Sequence, residues 1–451
     1  MEKYDLVVLG GGPGGYEAAE LAGKKGLKVA LVEKENLGGV CLNKGCIPLK
    51  KMLHVSREVD AVMTLLREGT VDIDIKGVNQ KKVIESKDKV IKNLQQGVLY
   101  KLKNASVDYY NAYGVIKSAN EKEIIIDVDG NDIWASKLVI ATGSHERKIS
   151  AISKDKTNKV IYSDEALELS EIPENLVIVG AGVIGIEMAS YYNAVGSKVT
   201  LIEYLNHIGG NLEKDISLSL MKMLQKKGID IVLNSEVVGV SDSSLEYKID
   251  EQINVIKGDK ILISVGREPN IDGYGLEKTA IAFGKGGINV DDNCMTNVTN
   301  IFACGDVTGK LMLAHTAYKQ AECIIDYITG KKLCVKYSAI PRIIYSDPEV
   351  VSVGFSSDEC EKNEIKYTKK ILPMSYSGKY FAEHGKDDAK AVLIVGNDGK
   401  ILGFHMVGNG AAEIALAVGM FIQNEYSLDE LKSVVFPHPT VGEIIKELAF
   451  L

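Results

Sequence analysis

Two stretches of the chain follow the same local plan with the same spacing, and this repeat limits the fold more than any other feature. Tyr4 to Leu9 is a short apolar run of the kind buried in a parallel sheet, and it leads straight into Gly10-Gly11-Gly12-Pro13-Gly14-Gly15. Tyr16 to Lys25 has a helical pattern in which Ala18, Ala19 and Ala22 allow close packing. Leu27 to Val32 reads as a second strand, and Glu33 stands at its end. The plan recurs in strand Asn175 to Val179, loop Gly180-Ala181-Gly182-Val183-Ile184-Gly185, helix Ile186 to Val195 and strand Lys198 to Ile202, closed by Glu203. In both copies the acid stands 23 positions after the first glycine, at 10 to 33 and at 180 to 203.

A lone G-x-G-x-x-G is weak and is often only a glycine-rich turn. Strand, glycines, helix, strand and acid in register make a dinucleotide site. The glycines (Gly10, Gly12 and Gly15; Gly180, Gly182 and Gly185) let the backbone approach a pyrophosphate. The helix N-terminus offers it N–H groups, and Glu33 or Glu203 accepts hydrogen bonds from a ribose. Two matches with equal spacing predict two such sites in one chain. Glu203 would repel a 2′-phosphate, and Tyr204-Leu205-Asn206-His207 brings no Arg or Lys to attract one, so NAD is favoured over NADP at the second site.

Gly38 to Lys50 reads G-G-V-C-L-N-K-G-C-I-P-L-K. Cys41 and Cys46 are five positions apart, and Cys41 comes eight residues after Glu33. A cysteine pair in a cytoplasmic nucleotide-binding protein points to catalysis or metal binding before a structural staple. Positions five apart on a regular helix differ by about 140° and about 7.5 Å in rise. A disulfide wants Cα atoms within about 7 Å, so a bond here needs a distorted helix start, which Gly45 permits. Two unrelated core thiols are the plainer reading of any such pair; the position just after a ribose-binding acid argues against it. Cys294, Cys304, Cys323, Cys334 and Cys360 lack CxxC or Cys/His spacing and read as buried, inert thiols, so no metal site is expected.

Length and charge bound the rest. A chain of 451 residues allows about three domains. Its 53 Lys and Arg against 61 Asp and Glu, net −8, weigh against nucleic acid and anionic membranes as partners. No apolar run reaches ~18 residues, so no membrane span is expected. The first strand begins near Tyr4, which leaves no room for a signal or transit peptide and predicts a cytoplasmic protein.

Several motifs in one order carry a resemblance that runs from residue 4 to about 448. They are the cysteine stretch at 38–48, A-T-G-S at 141–144, G-A-G-V-I-G-I-E at 180–187, V-G-R-E-P-N at 265–270, A-C-G-D-V at 303–307, M-L-A-H at 312–315 and H-P-T-V-G-E at 438–443. On these the chain resembles the class I pyridine nucleotide–disulfide oxidoreductases, and within them the branch that acts on dihydrolipoyl groups. The resemblance implies an α/β fold with two Rossmann-like domains, for FAD and NAD, and a C-terminal α+β dimerisation domain. The expected division is 1–147 with 272–337 for the FAD-binding and central part, 148–271 for the NAD-binding domain and 338–451 for the dimer interface.

The resemblance also assigns roles. Cys41 and Cys46 become a redox disulfide. Gly114 approaches the adenine of FAD, Asp306 holds its ribityl chain, and Lys50 pairs with Glu187 beside the flavin. Gly39, Thr142, Gly143, Ser144, Val237, Gly266, Met312, Leu313, Ala314 and His315 join the cofactor contacts. A plainer reading of Asp306 is a cap for a helix over Leu311 to Ile328. His438 and Glu443, five apart, would by themselves be surface residues or a satisfied hydrogen-bond pair. Within the motif His438 is the base, oriented by Glu443 and supplied from the other subunit of a homodimer. The implied partner is the lipoyl domain of a 2-oxoacid dehydrogenase or acetoin complex, or the lipoyl H-protein of glycine cleavage. The alternatives are another NAD(P)H-dependent disulfide reductase of this family or a non-catalytic flavin redox sensor.

The remaining chain reads coarsely. Lys51 to Asn104 is largely helical, with heptad-like apolar spacing from Val83 to Leu102, and Tyr113 to Val128 alternates like a hairpin. From Tyr337 onward mixed strands give way to helices beginning at Ala411 and Leu428. Three positions depart from the resemblance. Lys44 replaces a small apolar residue, and an ammonium there is expected to lower the thiol pKa values. Leu49 replaces a serine, and Phe436 replaces a histidine.

Overall fold

Burial along the first strand rises toward its C-terminal end, where Leu6, Val7, Val8 and Leu9 are all buried. Such a run suits a strand covered on both faces. A computed structural model describes residues 1–120, 123–152, 159–241, 244–331 and 335–451 and puts this strand, Glu2–Leu9, inside a largely parallel sheet. Leu6 to Leu9 pair with Val29 to Val32 on one side and with Lys137 to Ile140 on the other. Among the described residues the sheet has seven strands. The order is Asp108–Asn111, Val29–Glu33, Glu2–Leu9, Asn131–Ile140, Ile124–Val128 and Gly114–Ala119, with Ile301–Ala303 parallel to the end of Asn131–Ile140. Gly114–Ala119 and Ile124–Val128 are the antiparallel pair that the alternation predicts; positions 121–122 lie outside the described residues.

The chain divides into two units. One comprises Met1–Pro48, Ile84–Arg147 and Gly266–Tyr337 and holds this sheet. The other comprises Leu49–Val83, Lys148–Val265 and Ser338–Leu451. It holds the second copy of the plan as a parallel sheet ordered Asp230–Val232, Lys198–Ile202, Asn175–Val179, Lys260–Ile263, Val160–Ile161. It also holds a three-stranded antiparallel meander of Ser235–Ser241, Ser244–Ile249 and Gln252–Lys257. Its C-terminal part is an antiparallel sheet ordered Arg342–Ile344, Val350–Gly354, Ile401–Val407, Lys390–Gly396, Tyr367–Pro373. Helices Ala411–Gln423 and Glu443–Phe450 bury Ala415, Val418, Ile444 and Leu448 against this sheet. The observed class is therefore α/β with an α+β C-terminal part.

The stretch expected to be largely helical splits into Cys46–Arg67 and Gln80–Asn104, with a non-helical segment between that contains Gly69 and Gly77. The apolar stripe of the second helix is narrower than its spacing suggests. Val83, Val98 and Leu102 are buried, but Leu94 and Tyr100 are exposed. Leu49 sits in the core with Met52 and Leu53, and Phe436 packs against the core of the C-terminal sheet. Cys294, Cys304, Cys323 and Cys360 are buried; Cys334 lies outside the described residues. Burial pushes the Cys304 thiol up to about 12 and the Cys360 thiol up to about 11. No helix among the described residues is long and apolar enough to cross a membrane.

One buried charge binds the second unit internally. Glu213 is fully buried and accepts the Ser357 N–H at 2.7 Å and the Lys369 ammonium at 2.6 Å. Burial pushes its carboxyl up, but Lys369 and Ser357 outweigh that and hold it below the ordinary 4.5. Lys369→Met strands the buried carboxylate and should destabilise the protein by about 3 kcal/mol at neutral pH. A depressed folded pKa means this stability is present above about 4.5 and is lost as the pH falls through the folded value. The difference from wild type should therefore shrink on acidification. Urea unfolding followed by circular dichroism at pH 7 and pH 4 checks this, and a difference independent of pH contradicts it.

Candidate active site

The first glycine loop has a shape that side chains cannot share. Gly10 has φ +102°, and a Cβ there would lie 2.2 Å from the Ala141 carbonyl oxygen. A Cβ on Gly15 would lie 1.8 Å from the Gly10 carbonyl oxygen. Helix Pro13–Lys24 then begins with Gly12 as N-cap and no side-chain cap, so its first N–H groups face outward. Glu33 accepts the Gly11 N–H at 2.6 Å and the Glu35 N–H at 2.7 Å, which fixes its carboxylate beside the loop. The second loop repeats each feature. Gly180 has φ +98°, a Cβ on Gly185 would lie 2.0 Å from the Gly180 oxygen, and helix Val183–Ala194 lacks a side-chain cap at Gly182. Glu203 accepts the Ala181 N–H at 2.6 Å and the Leu205 N–H at 2.8 Å. Val237 is half-buried in the meander that follows.

The cysteine stretch is anchored on the first loop. Gly38 donates its N–H to the Gly11 carbonyl at 2.8 Å, and a Cβ on Gly39 would lie 2.7 Å from the Gly12 Cα. Cys41 lies in the short helix Gly39–Lys44, and Cys46 opens helix Cys46–Arg67. Gly45 interrupts the two with φ −149° and ψ −109°, which is the break the five-residue spacing needed. Cys41 is half-buried and Cys46 exposed. Lys44 directs its ammonium to Glu35 Oε2 at 3.2 Å, so its charge is partly neutralised by a carboxylate.

Asp306 is not the cap of the following helix. It lies in a separate turn, Gly305–Thr308, and helix Ala314–Ile328 begins later with Leu313 as N-cap. Asp306 instead accepts the Ser144 hydroxyl at 2.6 Å, and Arg267 donates to the Ser144 hydroxyl at 2.8 Å. Thr142 and Asn270 exchange two hydrogen bonds of 2.8 Å, and Gly143 accepts the Asn270 N–H at 2.9 Å. Gly266 has φ +111° and accepts the Arg147 N–H at 3.0 Å. Gly114 is required by packing as well: a Cβ there would lie 2.7 Å from Leu9 Cδ2. Met312, Leu313 and Ala314 are half-buried and His315 exposed at the start of helix Ala314–Ile328. Arg267 and Asn270 lay inside a recognised motif, yet nothing in the sequence assigned their contacts.

In the second unit Lys50 and Glu187 meet. Lys50 Nζ lies 2.7 Å from Glu187 Oε2 and 4.4 Å from the centre of the Tyr345 ring. The Tyr345 N–H donates to the other Glu187 oxygen at 2.9 Å. No sequence signal pointed to Tyr345. His438 and Glu443 also meet: Nδ1 lies 2.9 Å from Oε1, and the Thr440 N–H donates to Oε2 at 2.9 Å. The Thr440 N–H and His438 hold the Glu443 carboxyl below its usual range. A carboxylate only accepts, so Nδ1 carries a proton, and in the neutral imidazole Nε2 is the nitrogen with the lone pair. His438 is 77% exposed, so this nitrogen faces solvent in the isolated chain.

Residues 4–321 match the family described as pyridine nucleotide-disulphide oxidoreductase, and residues 340–449 match its dimerisation domain. The chain belongs to this family. It is 35% identical over 466 residues to the dihydrolipoyl dehydrogenase of Bacillus subtilis (strain 168), covering 99% of this chain and 97% of that one. It is 33% identical over 457 residues to the leghemoglobin reductase of Glycine max, covering 99% and 87%. Its fold superimposes on LpdA from Mycobacterium tuberculosis with a TM-score of 0.89 at 21% identity, covering 100% and 99%.

Enzymes of this family use FAD and NAD. Both loops fit a dinucleotide, because a Cβ at Gly10, Gly15, Gly180 or Gly185 would strike backbone and the two helix starts are uncapped. Gly15→Ala should therefore yield protein without flavin absorbance. Gly185→Ala should keep its flavin and bind NADH at least about 10-fold more weakly. Absorbance spectra and NADH titration test this, and flavin loss from Gly185→Ala with retention in Gly15→Ala would reverse the assignment of the two loops.

Proposed function

We propose that the protein is a dihydrolipoyl dehydrogenase that oxidises protein-bound dihydrolipoyl groups to lipoyl with NAD⁺. Residues 1–147 and 272–337 form the FAD-binding and central part, 148–271 the NAD-binding domain and 338–451 the dimer interface. It works in the cytoplasm as a homodimer. Its partner is the lipoyl domain of a 2-oxoacid dehydrogenase or acetoin complex, or the lipoyl H-protein of glycine cleavage. The His438–Glu443 geometry carries this reading, because a redox sensor has no need for an imidazole whose tautomer is fixed with a base facing outward.

His438 of the partner subunit takes the proton of one substrate thiol. The thiolate attacks Cys41, the Cys41–Cys46 bond breaks, and Cys46 leaves as a thiolate. The second substrate sulfur then displaces Cys41, closing the lipoyl ring, so the substrate has lost two electrons and two protons and the cysteine pair is reduced. Bound FAD supplies the two-electron relay from the cysteine pair to NAD⁺. Glu33 and the first loop would hold its adenosine and pyrophosphate end, Asp306 would hold its ribityl chain, and the Lys50–Glu187 pair would tune its ring. Glu203, set before a segment without Arg or Lys, selects NAD⁺ over NADP⁺.

Steady-state oxidation of dihydrolipoamide with NAD⁺ is the test, set against NADPH oxidation by glutathione disulfide. Turnover should be found in the first assay and should require both cysteines. His438→Gln should lower kcat by about 10²- to 10⁴-fold, the usual contribution of a positioned base. A Cys46→Ser variant with wild-type turnover, or activity confined to NADPH and glutathione disulfide, would defeat the proposal.

A further inference from the structure

The exchange proposed above leaves a thiolate at the cysteine pair, and two phenols converge on the same place. Helix Pro13–Lys24 runs close to helix Ala314–Ile328 at Gly14, where a Cβ would stand 3.4 Å from Ala317 Cβ. This approach sets the Tyr16 and Tyr318 rings 5.9 Å apart at 60° and joins their hydroxyls in a hydrogen bond. The cysteine helix starts from the same loop. Gly39 abuts Gly12, and Gly12 accepts the Tyr16 N–H at 2.9 Å. A negative charge on Cys41 acts on both phenols, and one on Cys46 acts on Tyr318. Glu17, half-buried on the first helix, also acts on both phenols.

Two phenols carry two protons, and their mutual hydrogen bond uses one. Among the described residues neither hydroxyl has a further hydrogen-bond partner. Burial, more than any charge, keeps both phenols in the protonated form, so the second O–H is present at neutral pH. Tyr16 is buried, and Tyr318 is half-buried and feels the charge of both sulfurs. Tyr16 therefore suits the role of anchor, which leaves the Tyr318 O–H to turn outward. A sulfur anion generated within reach is the acceptor that O–H lacks.

We propose that Tyr318, oriented by Tyr16, donates a hydrogen bond to the thiolate that forms at the Cys41/Cys46 pair on reduction. Tyr318 is then a hydrogen-bond donor to a reacting sulfur, and Tyr16 is its positioning residue. A hydrogen bond to the charged form favours that form, so the donor lowers the thiol pKa and favours release of the leaving sulfur. The inference rests on reading Cys41 and Cys46 as the exchanging pair.

The experiment reduces the holoenzyme with NADH without oxygen and measures iodoacetamide alkylation of Cys41 and Cys46 by mass spectrometry as a function of pH. Tyr318→Phe keeps the ring and should raise the apparent thiol pKa by about one unit, the size expected for a hydrogen bond to a charged group. Tyr16→Phe should shift it in the same direction by less, and Tyr318→Gln, which restores a donor, should recover part of the shift. Flavin absorbance and the melting temperature confirm that each variant is folded. Superimposable profiles for wild type and Tyr318→Phe overturn the role of the tyrosine while leaving the redox pair intact. If NADH uncovers no alkylatable thiol at either cysteine of the wild type, the reading of the pair itself falls, and this inference falls with it.

Discussion

One peptide group, that of Gly11, holds the first unit's chemistry in register. Its N–H donates to Glu33 and its carbonyl accepts from Gly38, so the acid, the glycine loop and the start of the cysteine helix share a single anchor. Both bonds are short, at 2.6 and 2.8 Å, and one of them is to a charged acceptor, the stronger kind. A side chain at Gly11 would press on Glu33 and Leu37 at 3.0 to 3.1 Å. The cysteine helix therefore cannot move independently of the glycine loop. A displacement of the glycine loop displaces the helix that bears Cys41.

The second copy keeps this anchor without the cysteines. Ala181 donates to Glu203 at 2.6 Å, and its carbonyl accepts the Gly209 N–H at 2.8 Å. Gly209 and Gly210 have φ of +79° and +64°, as Gly38 and Gly39 have +99° and +57°. A Cβ on Gly38 would strike Leu42, and a Cβ on Gly209 would strike Leu212. The repeat thus extends past the acid to a pair of glycines folded against a leucine. Beyond that pair one copy continues through Val40 into Cys41, and the other through Asn211 into Leu212. The same backbone arrangement leads into the cysteine stretch in the first copy and into a segment without cysteine in the second.

The paired loops, their acids and the break at Gly45 were legible because each follows from local spacing and steric demand. The extension of the repeat to Gly209 was not, because its signal is a backbone hydrogen bond and a left-handed turn with no fixed residue pattern between them. The plainer reading of Asp306, a helix cap, rested on an acid standing before a helical run. The structure shows a separate turn, and the Ser144–Arg267 contacts that fix Asp306 span more than a hundred residues. Tyr345 and Glu213 escaped notice for a related reason. Tyr345 meets Glu187 through its backbone N–H and Lys50 through its ring, and Glu213 is tied to Ser357 and Lys369, all far along the chain. A pattern read along the sequence registers periodicity and neighbours; it does not register a long-range hydrogen bond.

The three departures from the family pattern gain a physical meaning from packing. Leu49 and Phe436 became apolar where the structure buries apolar surface, so each adds to a core. Lys44 carried the expectation of a local positive charge that would favour thiolate. Its ammonium lies on Glu35 with both side chains about half-exposed, and a screened surface pair of this kind contributes at most about 1 kcal/mol. The positive charge therefore goes to a carboxylate. A neutral donor such as the Tyr318 hydroxyl proposed above needs no net charge to favour a sulfur anion, so it would add to whatever field Lys44 exerts there.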